Sequence, residues 1–294
     1  MPGVTQFLRG QVTTPPLPTV DCTGRTILVT GANSGLGLEA AKLLAQLNCS
    51  TIVLACRTLA KGEKTQEVIE SALGRNSRKS QFILLELDLG SFQNVVAFSE
   101  RCKDLPRIDA AILNAGVQEA EFSLTEGYET TITINVISTF LLTTLLVPSL
   151  RRSAMKYNIT PTIAIVGSAV HFWTNEKALT DPAEGRILKT LSDPKKADMP
   201  GRYFLSKLPV MLLIKHLATI LTKSAKADPT GKPFVIINNV APGKESHGQY
   251  LSECQVKPYS SFVQSAEGDK TAQRLWDELS AIYEKVKPGC TKEL

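Results

Sequence analysis

Tyr203 and Lys207 stand four residues apart in an apolar stretch that reads as helix, so both side chains share one face. Ser168 lies just past an apolar run, Pro161 to Val166, that reads as strand. A phenol ordinarily titrates near 10 and is a poor acid or base at neutral pH, but a nearby ammonium favours the phenolate and lowers that value. Tyr203 can then give a proton to a developing alkoxide or take one from an alcohol, while Ser168 donates a hydrogen bond to the same oxygen. Taken alone, a Tyr and a Lys at this spacing also fit a packed ring beside a snorkelling lysine. The remaining motifs turn the reading toward chemistry.

Thr30-Gly31-Ala32-Asn33-Ser34-Gly35-Leu36-Gly37 sits between the apolar run Ile27-Leu28-Val29 and the amphipathic stretch Leu38 to Leu47. Strand, glycine turn and helix in that order make a phosphate cradle: the glycines allow a tight turn and a close backbone approach, and the helix dipole favours an anion. The cradle candidates are Gly31, Asn33, Ser34, Gly35, Leu36 and Gly37. An added positive charge on a bound nicotinamide ring would further favour the Tyr203 phenolate.

These residues require a scaffold that brings strand ends together. Apolar runs at Ser50 to Ala55, Gln81 to Leu87, Ile108 to Leu113, Pro161 to Val166 and Phe234 to Val240 alternate with helical stretches around Lys61 to Leu73, Phe92 to Cys102, Gly127 to Leu150 and Tyr203 to Leu221. This alternation predicts an α/β fold, a doubly wound parallel sheet of the Rossmann kind with six to seven strands, in a single domain over residues 21–294. Residues 1–20, with Pro2, Pro15, Pro16 and Pro18, read as an irregular arm without the apolar block of a signal peptide. The polar segments Gly185 to Gly201 and Lys223 to Lys232 read as surface loops, and Lys270 to Val286 as a C-terminal helix that docks through Trp276.

Ligands of such sheets bind beyond the carboxyl ends of the strands. Cys56-Arg57 ends the second strand without the carboxylate that would meet a ribose 2′-hydroxyl; Arg57, with Lys61 and Ser34, suits a 2′-phosphate, and so NADP rather than NAD. A solvated surface arginine is the alternative. Asp88-Leu89 ends the third strand, where the carboxylate can accept from an adenine amino group and the leucine can cover the ring, or where Asp88 can cap the next helix. Asn114-Ala115-Gly116 ends the fourth with small residues that let the chain pass under a cofactor.

The 294 residues are 43% hydrophobic and 21% charged, with a formal charge of +5. The basic residues are scattered rather than clustered with aromatics, which argues against nucleic acid. Six cysteines without a C-x-x-C pair point to a reduced, cytoplasmic setting. Ile134 to Leu150 is interrupted by Asn135, threonines and Pro148, so it reads as a buried helix rather than a membrane span. His171, His216 and His247 have no metal-ligand spacing. His171-Phe172-Trp173 either lines a pocket for an aromatic or polycyclic small molecule or packs in the core.

With these motifs in order, the chain resembles the short-chain dehydrogenase/reductase family from about Gly24 to Gly243. The resemblance rests on T-G-x-x-x-G-x-G at Thr30 to Gly37, Asn-Ala-Gly at 114–116, Tyr-x-x-x-Lys at 203–207 and Pro242-Gly243. It implies a catalytic tetrad of Asn135, Ser168, Tyr203 and Lys207, in which Asn135 bends its helix and holds a proton-relaying water. It implies cofactor contacts from Tyr203, Lys207, Pro242 and Gly243 beside the residues above, and it allows a homodimer through the helices at Gly127 to Leu150 and Tyr203 to Leu221. The Ala-Cys-Arg after the second strand and the long insertion between Ser168 and Tyr203 are similar to the retinol-dehydrogenase-like branch, many of whose fungal members serve secondary metabolism. An NADP(H)-dependent reductase of ketones, or oxidant of secondary alcohols, is the activity this implies.

One departure stands out. Gly-Gln-Tyr-Leu at 248–251 follows Pro242-Gly243 almost at once, whereas relatives place several tens of substrate-covering residues between them. A parallel crossover needs a dozen or more residues, so the seventh strand is expected to be displaced, or a lid segment after 243 missing. A threonine that relatives use near the nicotinamide is absent as well, Ser246 being the nearest hydroxyl. A cofactor-binding protein without redox activity, or a template for a cyclisation, is therefore the competing expectation.

Overall fold

A computed structural model describes residues 16–73, 80–227, 235–238, 246–252 and 254–294. Six strands form one parallel sheet: β1 (Thr26–Thr30), β2 (Thr51–Cys56), β3 (Gln81–Glu86), β4 (Ala110–Leu113), β5 (Thr162–Ile165) and β6 (Ile236–Asn238), in the order β3-β2-β1-β4-β5-β6. The order reverses between β1 and β4, which opens a crevice at the carboxyl ends of the strands.

Successive residues of a strand point to opposite faces, and both faces are covered here. Ile27 and Val29 of β1 join Ile52 and Leu54 of β2 on one face, where Ala41 and Ala45 of α1 (Gly35–Gln46) and Ile69 of α2 (Leu59–Ala72) bury them. Leu28 and Val53 point the other way, into the larger core built with α3 (Phe92–Lys103), α4 (Thr139–Tyr157), α5 (Met199–Ala227) and α6 (Ala266–Val286). The most apolar windows of the two long helical segments, Thr130–Tyr157 and Met199–Lys226, are 89% and 67% buried inside the fold. Both are core helices by their packing.

Several boundaries differ from the sequence expectation, for reasons outside the local pattern. The helix expected from about Gly127 begins at Thr130, because Leu124–Thr125 and Tyr128–Glu129 form a small hairpin turning through Gly127 at φ +82°. The expected loop at 185–201 holds a short helix, Ile187–Leu191, whose first amides donate to the Glu278 carboxylate of α6 at 2.8 and 2.9 Å. A cap supplied from 90 residues away leaves no local signature. The expected loop from Lys223 is helical as far as Ala227.

The departure after β6 resolves into a definite arrangement. Tyr250–Ser252 pairs antiparallel with Gln255–Lys257 in a separate two-stranded ribbon, and among the described residues the main sheet has no seventh strand. The outward-facing groups of β6 are satisfied instead by the incoming chain: Gly248 N donates to Ile237 O at 2.7 Å, and Ile237 N donates to His247 Nδ1 at 3.2 Å. An imidazole thus closes an edge that a strand would otherwise cover. Tyr250 then packs edge-on against His171 at 5.1 Å.

Candidate active site

The carboxyl ends of β1 and β4 are tied together by Thr30 and Asn114. Thr30 Oγ1 accepts from Asn114 N and Ala115 N, each at 3.0 Å, and Asn114 Nδ2 donates to Thr30 O at 3.1 Å. Asn114 is therefore a stitch across the switch point rather than only a turn residue. The glycine turn lies against it. Gly31 has φ +65°, and a Cβ there would sit 3.0 Å from Ala115 Cα. Gly37 is buried at the start of α1, where a Cβ would come within 2.3 Å of Gly31 O and 2.5 Å of Asn114 Nδ2. These two glycines fit helix to strand.

Gly35 is different: it has φ +52° and open space where a Cβ would go. Ser34 is extended and its side chain caps none of the amides that begin α1, while Leu36 is 73% exposed on the first turn. Free helix-start N–H groups, an uncovered leucine and a glycine facing open space are the features a pyrophosphate and its nucleotide would use. The cradle fits a dinucleotide. Asn33 is half-buried beside it.

Arg57 and Lys61 are exposed past the end of β2. Thr58, between them, caps α2 by accepting from Lys61 N. Asp88 uses Oδ1 to hold Gly90 N at 2.9 Å, and the cap of α3 is Ser91, which accepts from Asn94 N. Of the two roles weighed for Asp88, helix capping thus belongs to its neighbour. Leu89 is buried. Pro242 and Gly243 lie outside the described residues.

Ser168, Tyr203 and Lys207 converge beyond β5. Ser168 lies within hydrogen-bonding reach of the Tyr203 phenol, which it pulls down, although burial pushes that phenol above its ordinary value and wins. Lys207 Nζ stands 5.4 Å from the Tyr203 ring centre and donates to Val166 O at 3.0 Å. Burial holds Lys207 down at about 8. The expected lowering of the phenol by Lys207 is thus not expressed in the folded protein. The cause is desolvation: a half-buried ring loses more by leaving water than the Ser168 hydrogen bond restores, and the ammonium is turned toward the Val166 carbonyl.

Asn135 sits in a π-helical turn, Thr133–Ser138, that interrupts the helical run into α4. Such widened turns free backbone and side-chain groups for local use. Its Oδ1 accepts from Val117 N at 2.8 Å, and its Nδ2 donates to Val117 O at 2.8 Å and Ser206 Oγ at 3.0 Å. Ser206 in turn donates to Tyr203 O at 2.7 Å. The side chain thus links the loop after Asn114-Ala115-Gly116 to the helix of Tyr203. A Cβ at Gly116 would sit 3.0 Å from Asn135 Oδ1 and 3.9 Å from Lys207 Nζ, so the small residue keeps that junction compact.

Sequence reading missed three supports. His171 donates from Nδ1 toward Ser168 O at 2.7 Å and so fixes the serine segment; burial pushes its imidazole down, keeping it neutral. Tyr283 of α6 donates to Ile137 O at 2.9 Å, bracing the π-helical turn. Glu129 accepts from Thr131 N and Ile132 N, which caps the helical run leading to Asn135. Tyr283 acts across 146 positions and Glu129 from the end of a hairpin, while His171, only three residues from Ser168, is recognisable as a support only once its ring is seen to be buried. Of the aromatic trio, Phe172 packs on Tyr250 while Trp173 is 41% exposed.

A doubly wound sheet with a glycine cradle at its switch point and a Tyr-Lys-Ser cluster beside it defines a dinucleotide-dependent oxidoreductase scaffold. The sequence profile of the short chain dehydrogenase family matches residues 25–170. The short-chain dehydrogenase anuD of Penicillium roqueforti is 32% identical, with 94% of this chain and 81% of the relative aligned. The short chain dehydrogenase/reductase dmxR8 of Cryptosporiopsis is also 32% identical, over 94% and 95% of the two chains. The chain belongs to the short-chain dehydrogenase/reductase family, and these relatives are fungal. Their alignments run over 320 and 319 positions, more than the 294 residues here, so each relative carries stretches without a counterpart in this chain. Among solved structures, one described as a short chain dehydrogenase of Shigella flexneri 2a complexed with NADP shares the fold at TM-score 0.51 and 24% identity, covering 77% of this chain and 80% of that one.

Proposed function

We propose that this protein interconverts a ketone and a secondary alcohol with NADP(H), as an enzyme of fungal secondary metabolism. The observation that carries the reading is the proximity of Ser168, Tyr203 and Lys207 to one another beyond β5. A bound NADPH supplies the hydride. The chain's own residues handle the oxygen and its proton: Ser168 donates a hydrogen bond to the carbonyl oxygen, and Tyr203 Oη delivers a proton to it as negative charge develops. Lys207, close under the ring, stabilises the phenolate left behind. Asn135 and Ser206 hold α5 in register with the loop after β4, which keeps these groups at fixed separations.

Arg57 supports NADP over NAD. It is exposed at the end of β2, where no carboxylate competes for a 2′-phosphate. Gly31, Asn33, Ser34, Gly35, Leu36 and Gly37 would hold the pyrophosphate side, and Asp88, Leu89, Asn114, Ala115 and Gly116 the adenine and nicotinamide approaches.

A second reading has its own observation. Among the described residues the sheet has six strands, and relatives carry additional residues; a scaffold so shortened can bind the cofactor without turnover and serve as a binding partner or cyclisation template. Quenching of NADPH fluorescence followed by turnover on a panel of aryl ketones separates the two. Oxidation of NADPH supports the enzyme, and binding without oxidation supports the second reading. Tyr203→Phe should lower kcat by about 10² to 10⁴ with NADPH affinity retained; an unchanged rate sinks the proton-donor role.

A further inference from the structure

A cleft of about 1350 Å³ opens between α5 and the segment that follows Ser168. Trp173, Ala178, Phe204 and Leu205 give it apolar wall. Arg202, the residue before Tyr203, also lines it, and its side chain is only 2% exposed.

A guanidinium stays charged, so burial obliges it to find acceptors. This one is short of them. Nε and Nη1 have no hydrogen-bond acceptor. Glu129 is its ion-pair partner, with Oε2 3.5 Å from Nε and without hydrogen-bond geometry, and the Glu129 carboxylate is turned to its own helix start, accepting from Thr131 N at 2.9 Å and Ile132 N at 3.0 Å. Asp198 acts on Arg202 through space, and its Oδ1 is engaged by Gly201 N. Burial accordingly pushes the guanidinium down, with Glu129 and then Asp198 pulling it back up.

A charge short of acceptors in the wall of a large cleft suits an anion. We propose that Arg202 binds a carboxylate on the substrate, so that the molecule taken here is an aryl ketone or alcohol bearing a carboxylic acid. A carboxylate entering from the cleft can accept from Nη2, the guanidinium nitrogen that is not enclosed, and adds the charge-assisted contact that Glu129, 3.5 Å from Nε, does not give. Trp173 offers its ring to the aryl body. The proposal rests on the carbonyl–alcohol reading only for the chemistry at the far end of the substrate; carboxylate recognition stands on the cleft itself.

Isothermal titration calorimetry with 2-naphthoate and 2-naphthamide tests it without turnover. The native protein should bind the acid at least tenfold more tightly than the amide. Trp173→Ala should weaken both alike, placing them in this cleft. Arg202→Lys keeps the charge but withdraws the Nη2 donor from the cleft wall, and should bring the acid down to the amide. Glu129→Gln removes the countercharge and should tighten the acid several-fold with the amide unchanged, a gain that loss of a merely structural pair does not produce. Melting curves establish that each variant is folded. Equal affinity for acid and amide in the native protein overturns the proposal, as does weakened acid binding in folded Glu129→Gln. Absence of NADPH oxidation on every aryl ketone would instead remove the redox reading and leave these affinities as they are.

Discussion

Gly37 and Gly35 are both glycines of the cradle, yet alanine should harm them for opposite reasons. At Gly37 an added methyl would lie 2.3 Å from Gly31 O, 2.5 Å from Asn114 Nδ2 and 2.9 Å from Gly31 C, against an ordinary contact of 3.4 Å or more. Two of the three obstructing atoms are backbone, so the start of α1 must move about 1 Å away from the end of β1, and the Asn114 Nδ2 to Thr30 O bond is lost with it. Overpacking of this kind costs roughly 1–3 kcal/mol, and a backbone obstacle places Gly37→Ala near about 3. At Gly35 nothing lies within 4 Å, but φ is +52°; a left-handed alanine costs about 1–2 kcal/mol. Urea denaturation followed by circular dichroism should rank the variants with Gly37→Ala the less stable, and NADPH titration should show both weakened. A Gly37→Ala protein as stable as the native one would refute the close helix–strand packing from which the cradle is argued.

Arg57→Glu should cut NADPH affinity by about 10- to 100-fold, the loss of a charge-assisted phosphate contact, with NADH affinity unchanged; parallel loss of both cofactors would refute the 2′-phosphate assignment. Lys207 is held at about 8 against an ordinary 10.5, so between those values the unfolded chain binds more protons and stability should rise with pH by up to about 3 kcal/mol. Lys207→Met should lack that rise, measured as the difference between the two denaturation curves across pH 8–10.5. His247 must be neutral to accept from Ile237 N; burial pushes it down, and the Ala218 carbonyl pulls it partly back. Its contribution is complete above 6.5 and lost as pH falls through the lowered folded value, so His247→Leu should cost about 1–3 kcal/mol at pH 7.5 and progressively less in acid. A cost independent of pH would remove the imidazole from the strand edge.

The local sequence was enough for the scaffold. Strands read from runs such as Ile27-Leu28-Val29 form because a parallel sheet buried on both faces needs every position apolar, a pattern contained within a few residues. Gly31, Gly35 and Gly37 declare a turn by the absence of a Cβ, and Tyr203 and Lys207 share a face because a helix brings residues four apart together. The distance from Gly243 to Gly248 was likewise enough to rule out an ordinary crossover. What required the folded chain were the groups that act across long separations: Glu278 capping Ile187, Tyr283 bracing Ile137, His247 closing β6, and Glu129 against Arg202. Each is a polar side chain satisfying a backbone or charge far away in sequence, and burial, which exists only once the chain has folded, is what makes that satisfaction necessary. Burial also decided the titration of the site, raising the Tyr203 phenol and lowering Lys207, where spacing alone had placed an acidic phenol beside an ordinary ammonium.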